Sequence, residues 1–494
     1  MHRSIRASSL APSSILILLL LTSLAVASDQ ANPASTPVNF TLNSMDSGDY
    51  ATNTIISGDF NNDGILDLVT VNATSLSFYK GLGGGKFAPA AKQTLTPNYA
   101  AGGAIFAADF NGDGKLDLAV SYGYPGGDSV IILLGNGNGT FTQGTNITVS
   151  GVENTIALAD FNGDHKPDIA VSSEQDNLTW IYLGNGDGTF KLSDTLTYGG
   201  LSLVAGDFNA DGKQDLAFST GNGSSTVGMF LGNGNGTFGS PILATLNFSL
   251  GLAVGDFYNN RIQTLAALGG EGGSGNVYIY SLQYSNGQLL VQNQTLIGDF
   301  SAGGPYDITG GDLNGDFLFD VFVSGGSINS AAFSAYMLGN GNGTFQALQY
   351  PPNNNAGIDA LFPFIRDLNY DSRHDAGLAW NSSDISGAEV LINTNATTNC
   401  DPPPANKLSV HICAPTSGKT VGKTFTFRGA GNAFSGIAKR MELWIDGKKI
   451  GEDLEDQLKI TTTLTAGSHT ASFVVVDSFD NYTSQSVTFT STGQ

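Results

Sequence analysis

The ten residues Asp109-Phe110-Asn111-Gly112-Asp113-Gly114-Lys115-Leu116-Asp117-Leu118 place side-chain oxygens at relative positions 1, 3, 5 and 9, a glycine at position 6 and the Lys115 carbonyl at position 7. Calcium takes six to eight hard oxygen ligands at ~2.4 Å, and a short loop aims alternate residues at one point only if it turns sharply. Gly114 permits that turn, because a residue without a Cβ enters positive φ freely. An EF-hand would need helices on both sides and a glutamate at position 12. Here Val120, Ser121 and Tyr122 follow, and both flanks read as strands.

Variants of the stretch start at Asp59, Asp109, Asp160, Asp207, Asp256, Asp312 and Asp367. Their spacing is roughly 50 residues, the length of a four-stranded propeller blade. A second motif keeps the same phase: Gly135-Asn136-Gly137-Asn138-Gly139-Thr140-Phe141 has the chemistry of a tight hairpin and returns at Gly184, Gly232 and Gly339, with a looser form at Gly81 to Phe87. Six loops offer a full ligand set: Asp59/Asn61/Asp63/Ile65/Asp67, Asp109/Asn111/Asp113/Lys115/Asp117, Asp160/Asn162/Asp164/Lys166/Asp168, Asp207/Asn209/Asp211/Lys213/Asp215, Asp312/Asn314/Asp316/Leu318/Asp320 and Asp367/Asn369/Asp371/Arg373/Asp375, the position-7 residue of each acting through its carbonyl. Up to six Ca²⁺ are therefore expected. His165, Phe317 and Ser372 replace the turn glycine in three of these loops. A side chain in the left-handed region costs ~1–2 kcal/mol, so those sites are expected to be weaker. The fifth loop has Tyr258, Asn260 and Thr264 at ligand positions and Arg261 at the turn, and is expected to be empty. The alternative for every loop is an Asx turn without metal.

These motifs resemble the FG-GAP/VCBS repeats of integrin α-subunit propellers and of many secreted bacterial proteins. The resemblance implies an all-β, seven-bladed β-propeller over residues 38–395. The seventh unit ends at Glu389 to Asn395 without its hairpin, while Val38 to Leu42 reads as an orphan strand able to complete the last blade. Residues 396–407, including Pro402-Pro403-Pro404, read as a stiff linker. Residues 408–494 resemble a bacterial immunoglobulin-like domain through Met441 to Lys448, Ala466 to Thr470 and Val476 to Asn481, without the Cys…Trp…Cys spacing of antibody domains.

The chain has 494 residues and a formal charge of −22, and only 13% of its residues are charged. That balance excludes the basic footprint of a nucleic-acid binder. Three Asp in each of six loops account for 18 of the 43 acidic residues. Residues 1–27 read as a signal peptide, with His2, Arg3 and Arg6 before the apolar run Ile15 to Leu21 and a small-residue site at Ala25-Val26-Ala27. Export to the cell exterior or surface follows as an expectation, with residues 28–37 a disordered lead-in and no second apolar stretch long enough to span a bilayer. Cys400 and Cys413, the sole cysteines, form a disulfide on this reading, two unpaired thiols being the alternative.

No catalytic constellation is legible. His165, His374, His411 and His469 are scattered along the chain, none at a metal-ligand spacing from another, and neither a nucleophile elbow nor a phosphate loop is present. Tyr50, Tyr99, Tyr198 and Tyr306 all fall in the turns entering blades, opposite the aspartate loops, together with the variable turns such as Tyr122 to Asp128. They are candidates for a ligand face, or else they cap blade ends. The expected function is extracellular binding or adhesion by a monomer, with a carbohydrate or protein ligand. The alternative is a secreted polysaccharide-degrading enzyme on the same scaffold.

Overall fold

The computed structural model describes residues 38–494, apart from 50–53, 73, 96–100, 123–127, 151–154, 222–225, 247–248, 271–275, 300–302, 328–332, 352–358, 372, 382–385, 396–399, 401–402, 404–406, 434–438 and 455. The signal peptide, the lead-in, and Tyr50 and Tyr99 lie outside this set, as do most residues of the variable turns. Among the described residues every regular element is a strand, and no helix is long and apolar enough to cross a membrane.

The local logic is the same in each repeat. A strand of about five residues runs into the aspartate loop, and the position-9 Asp opens the next strand directly opposite the last residue of the first: Gly58 faces Asp67, Ala108 faces Asp117 and Ala159 faces Asp168. Second strands such as Asp67–Val71 and Asp168–Ser173 are buried at every position, whereas the outermost strand Phe190–Thr197 is exposed or half-exposed everywhere but Leu196. That gradient is what a radially stacked sheet produces.

Seven antiparallel sheets follow the seven motif copies among the described residues. Six are four-stranded, and the sixth in chain order has three strands, Gly303–Gly311, Asp320–Ser327 and Phe333–Met337, extended by a bridge between Tyr336 and Gln349. Their first strands neighbour one another in chain order, and that of the last sheet, Asp359–Arg366, returns beside Thr54–Gly58 of the first. The ring is closed by the N-terminal strand Phe40–Asp49, which pairs antiparallel with Ser386–Asn393, Phe40 opposite Asn393. It is longer than the segment to Leu42 that the sequence marks. The core lies between sheets: Val69, Leu76 and Phe78 of the first interlock with Ile105, Leu118 and Ile131 of the second, and Leu368, Ala379 and Val390 of the last with Leu68 and Tyr79 of the first.

Residues 409–491 form a two-sheet sandwich. One sheet holds Ser409–Ala414, Thr424–Asn432 and Gln457–Thr463, and the other Thr420–Val421, Tyr482–Ser491, Gly467–Val476, Arg440–Ile445 and Lys448–Asp453. Phe427, Phe473 and Phe489 fill its centre. A disulfide joins Cys400 to Cys413, with Cα atoms 5.6 Å apart, tying the linker to the first strand of the sandwich.

The sandwich rests on the aspartate-loop face of the ring. Phe479 is buried among Ala104, Phe106, Ile156 and Leu158 of the second and third sheets, and with Ser478 it joins the lining of the central channel, a largely apolar cavity of about 750 Å³.

Candidate functional site

In each loop the position-1 carboxylate gathers the turn. Asp109 accepts the amides of Gly112 (2.7 Å) and Asp113 (3.1 Å) on Oδ1 and that of Gly114 (2.8 Å) on Oδ2. Asp160 and Asp312 do the same for His165 and Phe317, each at 2.7 Å. The position-6 residue is left-handed whether or not it is glycine: φ is 76° at Gly114, 64° at His165 and 67° at Phe317.

Position 3 closes an Asx turn in five of the six full loops. The side-chain oxygens of Asn111, Asn162, Asn209, Asn314 and Asn369 accept the amides of Asp113, Asp164, Asp211, Asp316 and Asp371, at 2.8 to 2.9 Å. Asn314 and Asn369 also donate Nδ2 to the position-5 carboxylates of Asp316 (3.0 Å) and Asp371 (3.1 Å). Asn61 is the exception. Its Nδ2 donates to both oxygens of Asp67 at 2.9 Å, so in the first loop position 3 braces position 9.

Positions 5 and 7 form a second Asx turn in all six. Oδ1 of Asp63, Asp113, Asp164, Asp211, Asp316 and Asp371 accepts the amide of Ile65, Lys115, Lys166, Lys213, Leu318 and Arg373 respectively, at 2.9 to 3.1 Å. The position-7 residues, expected to contribute a carbonyl to a cation, thus enter the loop's own bonding through their amides. Arg373 reaches further, its guanidinium donating to the Asn314 carbonyl of the sixth loop at 2.7 Å. The sequence-expected ligands at positions 3, 5 and 7 are therefore turn-formers here. A carboxylate has about four lone-pair sites, so one amide bond does not exhaust what it can offer a cation.

The position-9 Asp performs a second task that the ligand pattern does not reveal. Asp117 accepts the Phe110 amide on Oδ2 (2.9 Å) and the Gly135 amide on Oδ1 (2.7 Å), so one buried carboxylate fastens the loop to the hairpin of its own sheet. Asp67 bridges Phe60 and Gly81 in this way, Asp168 bridges Phe161 and Gly184, Asp215 bridges Phe208 and Gly232, and Asp320 bridges Leu313 and Gly339. Asp375 uses Leu368 and, because the seventh unit has no hairpin, the Asn393 amide. The hairpin glycine must be glycine, because a Cβ at Gly135 would overlap the Leu116 carbonyl oxygen.

The hairpins also stitch neighbouring sheets. The third hairpin glycine donates to the loop Phe carbonyl of the preceding sheet: Gly139 to Phe60 (3.0 Å), Gly188 to Phe110 (2.9 Å), Gly236 to Phe161 (2.9 Å) and Gly343 to Phe257 (2.8 Å). The hairpin Phe then packs edge-on against that same loop Phe, as in Phe60–Phe141 at 5.8 Å and Phe110–Phe190 at 5.6 Å.

Electrostatics set these loops apart from ordinary turns. Burial pushes the carboxyls of Asp67, Asp117, Asp168 and Asp215 up to about 7, against the pull of their amide donors, and the other two carboxylates of each loop push the same way. Asp320 and Asp375 are also raised well above the ordinary carboxylate range, again by burial first and then by the Asp neighbours. Four loops place a lysine beside the position-5 carboxylate: Lys80 beside Asp63 (2.9 Å), Lys115 beside Asp113 (3.0 Å), Lys166 beside Asp164 (3.3 Å) and Lys213 beside Asp211 (3.4 Å). Among the described residues the only group of three His, Cys, Asp or Glu with ligand atoms all within 4.8 Å is Cys400, His411 and Cys413, whose sulfurs are already joined. The loop carboxylates are thus spread onto their own amides. In donor chemistry the six full loops fit a hard divalent cation: every side-chain donor is an oxygen, and each loop carries three carboxylates against at most one lysine.

The fifth loop departs from this scheme. Thr264 accepts the Phe257 amide at 3.4 Å but donates its own proton to the Gly255 carbonyl at 2.9 Å, so a neutral hydroxyl replaces the charged bridge. Its sheet has no Gly-Asn-Gly hairpin; Asn286-Gly287, both left-handed, turn directly into Gln288–Asp299.

The residues that replace glycine at the turn meet the C-terminal sandwich. The His165 ring lies 3.1 Å from the Phe479 carbonyl, the Arg261 guanidinium lies against Gly451, and Lys459 Nζ stands 5.1 Å over the Phe317 ring. In the seventh loop His374 Nε2 lies 3.2 Å from Asp456, while Ser372 is outside the described residues. Docking supplies a reason for these side chains that the sequence reading, which treated them as flaws in ligand loops, did not contain. Of the tyrosine set, Tyr198 stacks on Phe218 at 5.7 Å and is part of the packing at its blade end, and the side chain of Tyr306 lies outside the described residues.

Comparison with known protein families agrees with this architecture. Residues 59–120, 109–171 and 160–218 match the FG-GAP-like repeat, and residues 409–472 match the bacterial Ig domain. No curated protein sequence matches the chain. Similar solved structures include an Agrocybe aegerita lectin described as recognising non-reducing terminal N-acetylglucosamine (17% identity, 64% of this chain and 90% of that one, TM-score 0.41). Others are AofleA of Arthrobotrys oligospora (11%, 63% and 89%, TM-score 0.36) and the fibronectin(III)-like modules of Clostridium thermocellum CbhA (23%, 17% and 96%, TM-score 0.16). The chain is therefore an all-β propeller carrying FG-GAP-like repeats, followed by a bacterial Ig-like domain.

Proposed function

We propose that this chain is an exported, calcium-stabilised propeller acting as a binding or adhesion protein outside the cell, with a carbohydrate or protein ligand. The observation that carries the reading is the donor set shared by the six full loops, three Asp and one Asn within nine residues, with the position-9 carboxyl buried in each. There the residues at positions 1, 3, 5, 7 and 9 would hold the cation, which supplies the missing positive charge. The chain's own part is to fix those donors on a rigid ring through the Asp-to-hairpin bridges. Such a scaffold suits recognition, which gains affinity when the contacting surface is ordered before the ligand arrives.

The test is to apply the intact chain to glycan and protein arrays in millimolar Ca²⁺ and again in excess chelator. Retention of a glycan or protein without turnover, weakened by chelation, supports the reading. Release of shortened oligosaccharides would overturn it in favour of the enzyme alternative, and binding indifferent to chelation would remove calcium from it.

A further inference from the structure

The outer face of the five-stranded sheet of the sandwich looks across a cleft of about 660 Å³ at the fourth aspartate loop, with Asp207, Ala210 and Gly212 on the far wall. The cleft lies within the ~300–1,000 Å³ range of pockets that enclose small ligands. The sandwich wall is balanced in itself, Lys439, Arg440 and Lys449 lining it with Glu442, Glu452 and Asp480, in a chain whose net charge is −22.

The near wall is organised around Glu442. Arg440 Nε, Lys449 Nζ and Trp444 Nε1 each donate to its carboxylate at 2.8 Å. Burial works against ionisation, but these three donors outweigh it and hold the carboxyl down at about 2. Trp444 is thereby fixed in orientation, its ring part of the cleft wall. Tyr482, at 73% exposure the most exposed large hydrophobic side chain among the described residues, stands at the same cleft. A fixed indole, an open phenol ring and a charge-neutral set of hydrogen-bonding groups match a flat ligand with one apolar face and many hydroxyls. Aromatic rings carry large apolar area with a polar tip, and a neutral lining does not select an ion.

We propose that this cleft is a binding site for a neutral oligosaccharide lying along the sheet, one sugar face on Trp444 and another on Tyr482, the hydroxyls between them bonded to the charged groups around Glu442. The proposal rests on the extracellular-binding reading above and gives it a location.

Isothermal titration of the intact chain in Ca²⁺ with a panel of neutral oligosaccharides, alongside Tyr482→Ala and Trp444→Phe, provides the test. Tyr482 is exposed, so its truncation leaves the melting temperature in place. A saccharide that binds the parent chain should bind Tyr482→Ala about tenfold more weakly or worse. It should also change tryptophan emission in the parent chain and not in Trp444→Phe, since Trp180 and Trp380 are buried in the propeller. A saccharide bound equally well by both variants overturns the cleft while leaving the extracellular-binding reading intact. A chain that binds no saccharide but captures a peptide or protein also overturns the cleft assignment. A chain that binds neither class overturns both.

Discussion

A single carboxylate such as Asp117 serves two structures at once. It takes the Phe110 amide from its loop and the Gly135 amide from its hairpin, and the two glycines of the second sheet consequently differ in tolerance. Gly114 has positive φ and open space around it, so Gly114→Ala should cost only the left-handed penalty, ~1–2 kcal/mol. Gly135→Ala drives a methyl into the Leu116 backbone and pushes the amide off Asp117, leaving a buried carboxylate short of a donor. Its cost should be several-fold larger, ~3 kcal/mol or more. Denaturant unfolding of the two variants decides this, and equal losses would refute the bridge. The turn glycine and the spacing of the loop's Asp and Asn residues were legible because they depend on local backbone geometry. The bridge was not, since its partner lies 18 residues away and hydrogen bonds of that range leave no local signature.

Repeat and hairpin keep one phase in the sequence because the position-9 Asp physically joins them, and the fifth unit, which lost that Asp, lost the hairpin too. Strand order and ring closure were readable from the period and from the orphan first strand. The residues that mate one sheet to the next were not, because the Gly139-to-Phe60 bond and the Phe60–Phe141 contact join different repeats. The closing strand pair holds a separate titration. Glu389, on the strand that receives Phe40–Asp49, is buried, and burial pushes its carboxyl from 4.5 up to about 7. Its folded pKa is raised, so the unfolded chain ionises first, and stability falls as pH rises from about 4.5 to about 7, with the full cost present above that. Glu389→Gln should therefore stabilise the protein at pH 8 by up to ~3 kcal/mol and have almost no effect near pH 4. Unfolding curves at the two pH values check it. A substitution effect that does not change with pH would mean the carboxyl ionises normally.

At the scale of the whole molecule, the sandwich is seated on the ring through His165, Arg261, Phe317 and His374, with Phe479 buried beside the central channel. Two modules separated by a proline-rich stretch read as independent in sequence, because a docking surface made of loop tips has no periodicity to betray it. Removing the buried ring with Phe479→Ala should cost ~3–5 kcal/mol of docking and packing. It should split thermal unfolding into separate propeller and sandwich transitions and speed protease cleavage between residues 396 and 407. A single unchanged transition would show that the modules are held together by other contacts. The same seat implies that cation loss at the loops reaches the sandwich. The most direct measurement of the central claim is Ca²⁺ titration of the chelator-stripped chain, read by both bound-metal stoichiometry and calorimetric melting. At tenfold excess over a typical extracellular Kd, each occupied loop adds RT ln 11, roughly 1.4 kcal/mol. Up to six ions should bind, and the melting temperature should rise markedly. Asp113→Ala should lose about one ion and Asp256→Ala none. A stoichiometry near zero, with melting unchanged in chelator, would contradict the claim and leave the loops as hydrogen-bonded turns alone.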